Sequence, residues 1–324
     1  MLGRMRVDIS HSGTILIGRS ISADGPSERK IQFVSHAHTD HIGGLKKKAI
    51  QKQTVVCTAP TLELATELLH HQPPDAAILE YRKPREFEGE SVELYPANHI
   101  LGSAQLLVES KEGTLAYTGD FKQPGTAIVS SDSLVIEATY GAPIYQRQAG
   151  DGEVAFIETV EKCLREGPLA VYAYAAKVQE ALQILSNIVE AEFFLDQSCL
   201  KIAKIYAKHG VKLPKYSCLS DQEIMTLQKG DRAVMFRAFG RQRERLRHQR
   251  IILSGWAPEV VSKIDGGFMV RLSDHADFNQ LINYVEEARP RQVYTDASRS
   301  SYAGVLAKAI EARLRLPAKA LPAR

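Results

Sequence analysis

His36-Ala37-His38-Thr39-Asp40-His41 places three imidazoles and a carboxylate within six positions, directly after the apolar stretch Phe33-Val34-Ser35. These are ligand types suited to zinc. A lone histidine more often hydrogen-bonds loop backbone, but four such groups converging at one strand end read as a metal site. Three later stretches repeat the design. His99 follows Val92 to Ala97, Asp120 closes Leu115-Ala116-Tyr117-Thr118-Gly119-Asp120, and His275 lies in Leu272-Ser273-Asp274-His275-Ala276-Asp277. A strand end is a rigid mount for a ligand, so the repetition carries information.

The elements that must position these groups can be read from periodicity. Up to about residue 140 the pattern is mainly short β-branched and aromatic runs: 14–18, 31–35, 54–58, 91–97, 104–108, 114–118 and 134–138. One helix is expected around Leu62, Ala65, Leu68 and Leu69, with Pro60 as its start signal. From Glu153 helices and strands alternate: helix 154–165, strand 169–174, helix 177–189, strand 193–196, helix 199–208 and strand 232–236. Such alternation marks a parallel-sheet module. A smaller α/β unit is therefore expected at 145–255, inserted into a first unit of 1–144 and 256–324. Within the returning segment, 268–272 and 292–295 read as strands and 277–288 and 300–314 as helices. The tail 317–324 lacks periodicity and is expected to be loose.

The chain has 324 residues, 44% hydrophobic and 24% charged, ordinary values for a globular protein. No apolar run approaches the roughly 20 residues that cross a bilayer, and no membrane partner is expected. The first residues lack the apolar core of a signal peptide, so the cytoplasm is the expected location. Cys57, Cys163, Cys199 and Cys218 form no C-x-x-C pair and read as reduced thiols. The net charge of +3 says little about partners. Its distribution says more, because residues 237–250 hold six arginines against Glu244, a local +5. That segment, with Arg241, Arg243 and Arg245 at its centre, is either a phosphate-backbone contact or a solvated face.

Taken together, the H-x-H-x-D-H run, the lone His99 and the Thr118-Gly119-Asp120 turn resemble the metallo-β-lactamase fold. The resemblance implies an αββα sandwich with two zinc ions at one edge. His36, His38 and His99 would hold one, Asp40 and His41 the other, and Asp120 would bridge them. The motifs His99-x-x-Gly102-Ser103-Ala104, Glu137 after Leu134-Val135-Ile136, Ala176-Lys177-Val178-Gln179-Glu180, Ser254-Gly255-Trp256 and Ser273-Asp274-His275-Ala276-Asp277 are similar to those of the β-CASP nucleases, a branch with an inserted α/β domain. That resemblance implies a zinc-dependent phosphodiesterase acting on DNA or RNA, with a zinc-bound hydroxide as nucleophile, and His275 beside the scissile phosphate. Among its members the chain is similar to short prokaryotic ligase-associated DNA exonucleases or messenger-RNA 3′-end processing factors, and a 5′-exonuclease in repair or processing is expected. An RNA-processing endonuclease is the alternative of the same chemistry, and a small-molecule thioester or lactam hydrolase the alternative of another class. A non-enzymatic scaffold is disfavoured, because all six principal ligand positions hold competent residues.

Individual residues leave choices open. Asp40 would orient the attacking water or bind the second zinc, and His275 would donate a proton or stabilise developing charge. Glu137 would orient a ligand such as His41, or stand at an exposed strand end. Ser103 would offer a hydroxyl to a phosphate, unless Gly102-Ser103 is simply a tight turn. Lys177 would hold a phosphate at a helix start or be solvated, and Trp256 would stack a base or fill the core. RNA-processing members carry a ligand histidine where this chain has Asp296, which is either a further ligand or a helix N-cap.

Overall fold

The computed structural model describes residues 5–46, 53–148, 150–174, 176–239 and 248–323, which form two compact units, Met1–Arg147 with His275–Arg324, and Gln148–Asp274. The first unit opens with six strands that pair in chain order: β1 (Val7–Ile9), β2 (Ile15–Ile17), β3 (Ile21–Ala23), β4 (Ile31–Phe33), β5 (Thr54–Cys57) and β6 (Ala76–Ile78). Helix α1 (Ala59–Leu69) follows β5; Thr58 caps it by accepting from the Thr61 amide. Next come β7 (Arg85–Phe87), β8 (Glu90–Pro96), β9 (Ala104–Ser110), β10 (Gly113–Tyr117) and β11 (Ser133–Ile136).

The second unit contains α2 (Asp151–Leu164), β12 (Leu169–Ala173), α3 (Lys177–Leu185), β13 (Glu192–Leu195), α4 (Gln197–Lys208), β14 (Ser217–Cys218), α5 (Asp221–Thr226), β15 (Ala233–Ala238), β16 (Gln249–Leu253), β17 (Val261–Ile264) and β18 (Gly267–Val270). Its sheet runs β14-β13-β15-β12-β16-β18-β17, parallel except for the final hairpin. Parallel strands buried on both faces need helices to cover them. Val178, Leu182 and Leu185 of α3 meet Val171, Val234 and Phe236 on one face. Ile224 of α5 packs with Ala170 and Met235 on the other.

The chain then returns through α6 (Phe278–Ala288), β19 (Gln292–Asp296), α7 (Ala303–Leu314) and β20 (Ala318–Leu321). The last strands complete a seven-stranded sheet, β20-β19-β11-β10-β9-β8-β7. Its alternation explains the layering. Leu115 and Tyr117 of β10, Val135 of β11 and Tyr294 of β19 face the six-stranded sheet, meeting Ile15, Ile17 and Phe33. Their neighbours Ala116, Leu134, Ile136 and Val293 face outward against Leu281, Val285, Leu306 and Ile310 of α6 and α7. Each fully buried aliphatic chain contributes about 1.5–3 kcal/mol, so both apolar faces must be covered. The fold is thus α/β, two facing sheets with helices outside, carrying an inserted smaller α/β unit.

Two expectations are corrected. The return to the first unit comes at His275 rather than 256, and the insert begins at Gln148 rather than 145. The physical reason for the later return is pairing: β16 and β18 extend the second unit's own parallel sheet, Ile251 opposite Phe268. The tail is not loose, because Ala318–Leu321 pairs parallel with β19, Val293 opposite Ala318. Among the described residues no helix is long and apolar enough to cross a membrane.

Candidate metal centre

The histidine run is held as a turn between strands. The Val34 amide donates to Val56 O, the His41 and Ile42 amides both donate to His38 O, and Ile42 and Leu45 are buried behind it. Two glycines let neighbouring turns approach. Gly119, at φ +56°, would put a Cβ 2.8 Å from Cβ of Ser35, and Gly102, at φ +83°, would put one 2.7 Å from the Thr61 amide. Only glycine tolerates such contacts in that backbone region. The Ala104 amide donates to Ser35 O, tying the His99 turn to the histidine run.

The ligand atoms converge. His36 Nε2 lies 3.1 Å from His38 Nδ1, which lies 3.0 Å from His99 Nε2. Nitrogens sharing a tetrahedral zinc are about 3.3 Å apart, given Zn–N bonds of about 2.0–2.1 Å. Asp120 Oδ2 stands 3.6 Å from His36 Nε2, 3.1 Å from His41 Nε2 and 4.0 Å from both His99 Nε2 and His275 Nδ1. One ligand atom from each of His36, His38, His99 and Asp120 falls within 4.8 Å of the others. His41 Nε2 is buried and lacks a hydrogen bond of normal geometry despite that neighbour. A donor set of this chemistry, with such an atom aimed into it, fits a zinc site. Asp40 sits further out, its side chain 63% exposed and Oδ2 3.5 Å from His41 Nε2.

Electrostatics separate the imidazoles. Burial, and then the positive charges of His41 and His99, hold His36 well below the ordinary histidine range. Burial also works against a charged His41, but Asp120 and Asp24 outweigh it and push it up to about 10. Burial likewise disfavours the Asp120 carboxylate, yet His41 and His275 hold it well below the carboxylate range.

Beside this group stand Asp120, Glu137 and His275, a second convergence of ligand-capable atoms. His275 Nδ1 is 3.1 Å from Glu137 Oε2, and the Phe121 amide donates to Glu137 Oε1 at 2.9 Å. Asp277 caps α6 reciprocally with Gln280, and the Ala276 amide donates to Phe121 O, so His275 is fixed from both sides.

No family model matches the chain. A probable DNA ligase from Opitutus terrae is 27% identical over 86% of this chain, which spans 28% of the ligase. An RNase J-like protein from Methanocaldococcus jannaschii is 26% identical over 70% of this chain, which spans 64% of that protein. The chain therefore covers less than two thirds of either relative. The fold is shared with a crystallised protein of unknown function from Enterococcus faecalis V583: TM-score 0.62, 16% identity, 82% of this chain and 74% of that one. These likenesses are to β-CASP nucleases with the metallo-β-lactamase fold, and the chain is similar to them in sequence and architecture.

Within this site several expected roles change. Glu137 does not orient His41, because it is paired with His275. His41 is oriented by Asp24, whose Oδ2 lies 2.8 Å from Nδ1 and also accepts from Tyr117 Oη, while Oδ1 accepts from the Ser35 amide. Ser103 is buried and its Oγ accepts from the Ile100 amide, so Gly102-Ser103 is a structural turn rather than a phosphate contact. Lys177 does begin α3, but it is buried with Nζ 2.9 Å from Asp274 Oδ1. Its charge is matched within its own unit. Asp296 is neither a member of the ligand cluster nor a helix cap; α7 starts at Ala303 after Tyr302. It accepts from the Ser298 amide and pairs with Arg299 Nη1 at 3.0 Å. Trp256 is 55% exposed, not core. Arg241, Arg243 and Arg245 lie outside the described residues.

Two functional residues went unread. Asp24 ends Ile21-Ser22-Ala23 and precedes a glycine, the arrangement that drew attention to Asp120 in reverse order, so a signal existed. Its backbone is left-handed, φ 54°, a conformation aspartate tolerates better than most residues. Arg299 carried no signal. Its Nη2 donates to Asp24 O at 2.8 Å and Asp40 O at 3.2 Å, tying the histidine run to the end of β19.

Proposed function

We propose that the chain is a zinc-dependent phosphodiesterase that shortens DNA or RNA from the 5′ end in nucleic-acid repair or processing. The observation that carries this is the place of Asp120 Oδ2 among nitrogens of His36, His41, His99 and His275. A single carboxylate oxygen so placed suits a ligand shared by two ions. His36, His38 and His99 would hold one ion, His41 and Asp40 the other, and Asp120 both. Two such ions, when bound, supply a water acidic enough to attack at neutral pH and a clamp for the attacking and leaving oxygens.

The chain's own residues do the remainder. Asp24 accepts from His41 Nδ1 and so keeps Nε2 turned to Asp120. Glu137 accepts from His275 Nδ1, which directs a proton on the opposite nitrogen, Nε2, toward the leaving oxygen. Arg299 holds the main chain at Asp40. Likeness to a ligase over 86% of this chain supports a setting in DNA repair. Likeness to an RNase J-like protein favours a second reading, RNA processing by endonucleolytic cuts. Cys57, Cys163, Cys199 and Cys218 as thiols rather than disulfides accord with a cytoplasmic setting.

The test is a set of matched single-stranded DNA and RNA oligonucleotides, each with 5′-phosphate or 5′-hydroxyl, labelled at the 3′ end. Stepwise shortening of the label is the expected result. Single internal cuts would support the second reading, and cleavage of a thioester or lactam with every oligonucleotide intact would overturn both.

A further inference from the structure

Four aromatic side chains are exposed among the described residues, Tyr81, Tyr174, Phe239 and Trp256, and the last three follow neighbouring strands at one edge of a sheet. Strands β15, β12 and β16 are consecutive neighbours in the second unit's sheet and run parallel. Phe239 directly follows β15, Tyr174 directly follows β12, and Trp256 lies three residues past β16. Ala238 is opposite Ala173, and the Phe239 amide donates to Ala173 O, which holds the first two rings side by side. Their centroids are 4.9 Å apart at 55°. Tyr174 is 69% exposed and Phe239 36%. The cost of leaving three large rings in water at adjoining strand ends calls for an occupant.

We infer that these rings form a platform on which bases of single-stranded nucleic acid stack. The inference rests on nucleic acid being the substrate and adds where its unpaired bases are held. Ligands of open parallel sheets sit outside the carboxyl ends of the strands, where these rings are. Three strands at about 4.8 Å spacing span about 10 Å, room for two or three bases. Stacking needs no particular base, because every base has a π-face. Charge points to the same occupant: the sequence running from Phe239 to β16 carries Arg241, Arg243, Arg245 and Arg247 against Glu244, a strongly basic stretch where a protein-binding apolar patch would need none.

Trp256 is the only tryptophan in the chain, so its fluorescence reports this platform directly. Full-length protein with chelator present is titrated with an oligonucleotide of about 12 thymidines, its RNA counterpart, and an abasic strand of equal length. Quenching by the strands that carry bases and none by the abasic strand is the expected result. Tyr174→Ala and Phe239→Ala should each weaken binding roughly 5- to 150-fold, the range for one stacked base. Both side chains are exposed, and unchanged thermal unfolding will show the variants folded. Equal binding of abasic and base-carrying strands, or unchanged affinity in both variants, overturns the platform. So does a dimer in light scattering that Tyr174→Ala dissolves, which would assign the rings to a second copy. Quenching here with no strand cleavage in a separate zinc-replete assay would sink the nuclease reading and leave the platform standing, whereas cleavage in that assay with equal abasic binding here would do the reverse.

Discussion

His41 Nδ1 lies 2.8 Å from Asp24 Oδ2, on the side of the ring away from Asp120. A buried carboxylate there fixes both the tautomer and the plane of a ligand imidazole. Asp24→Asn keeps the volume but presents an amide that can donate to Nδ1. Zinc affinity, measured by competition with a chromophoric chelator, is expected to fall about 10–100-fold. Unchanged affinity in folded protein would remove Asp24 from the metal centre.

Buried Asp296 and partly buried Arg299 form a pair 3.0 Å apart, with Arg299 also bound to main-chain oxygens of Asp24 and Asp40. Asp296→Ala removes the nearer carboxylate of the guanidinium and leaves Asp40 Oδ2 at 3.9 Å from Nε. We expect a loss of about 3–5 kcal/mol in urea unfolding, with the zinc content of the remaining folded protein unchanged. A variant of normal stability that has lost zinc would restore Asp296 as a ligand.

Glu137 and His275 act as one unit if the carboxylate's role is to aim the imidazole. His275→Ala should slow strand cleavage about 10²–10⁴-fold and Glu137→Gln less. The double variant should be no slower than His275→Ala alone, since coupled residues are not additive. Multiplied losses in a rate comparison would argue for two separate roles.

Asp196 caps α4, accepting from the Cys199 amide, Ser198 Oγ and the Ala238 amide. Burial alone would raise its pKa, but these bonds outweigh it and hold the folded value below the ordinary one. The unfolded chain therefore binds more protons over that window. The stabilisation is complete above the ordinary carboxylate pKa of about 4 and fades as pH falls through the lowered folded value. Asp196→Ala should cost about 1–2 kcal/mol at pH 7, a gap that closes on acidification below about pH 4. Thermal unfolding of both proteins from pH 7 to 3 measures it, and a constant gap would contradict the sign.

Much of this architecture was legible because long alternating runs and four strand-end motifs point inward together. Strands of three residues, such as β1, β3 and β7, are too short to show a period of two. β20 was illegible for another reason: its ladder partner is remote from any turn signal, and only pairing with β19 makes Ala318–Leu321 a strand. The same limit put β18 with the first unit, since sequence shows a strand but not its neighbour. At the site, His36, His38, His41, His99 and Asp120 could be read because ligand chemistry restricts residue type. Ser103 and Lys177 could not, because a hydroxyl or an ammonium serves a turn or an ion pair as readily as a phosphate. Arg299 acts through main-chain oxygens, which have no sequence signature.

The most direct test of the account pairs zinc analysis with cleavage of a labelled single-stranded oligonucleotide, in the wild-type chain and in Asp120→Ala at matched zinc. About two zinc ions per active wild-type chain are expected, with Asp120→Ala losing at least one and slowing roughly a hundredfold or more. Full cleavage by Asp120→Ala, or an active wild-type chain holding less than about one zinc, would contradict the shared-ligand centre.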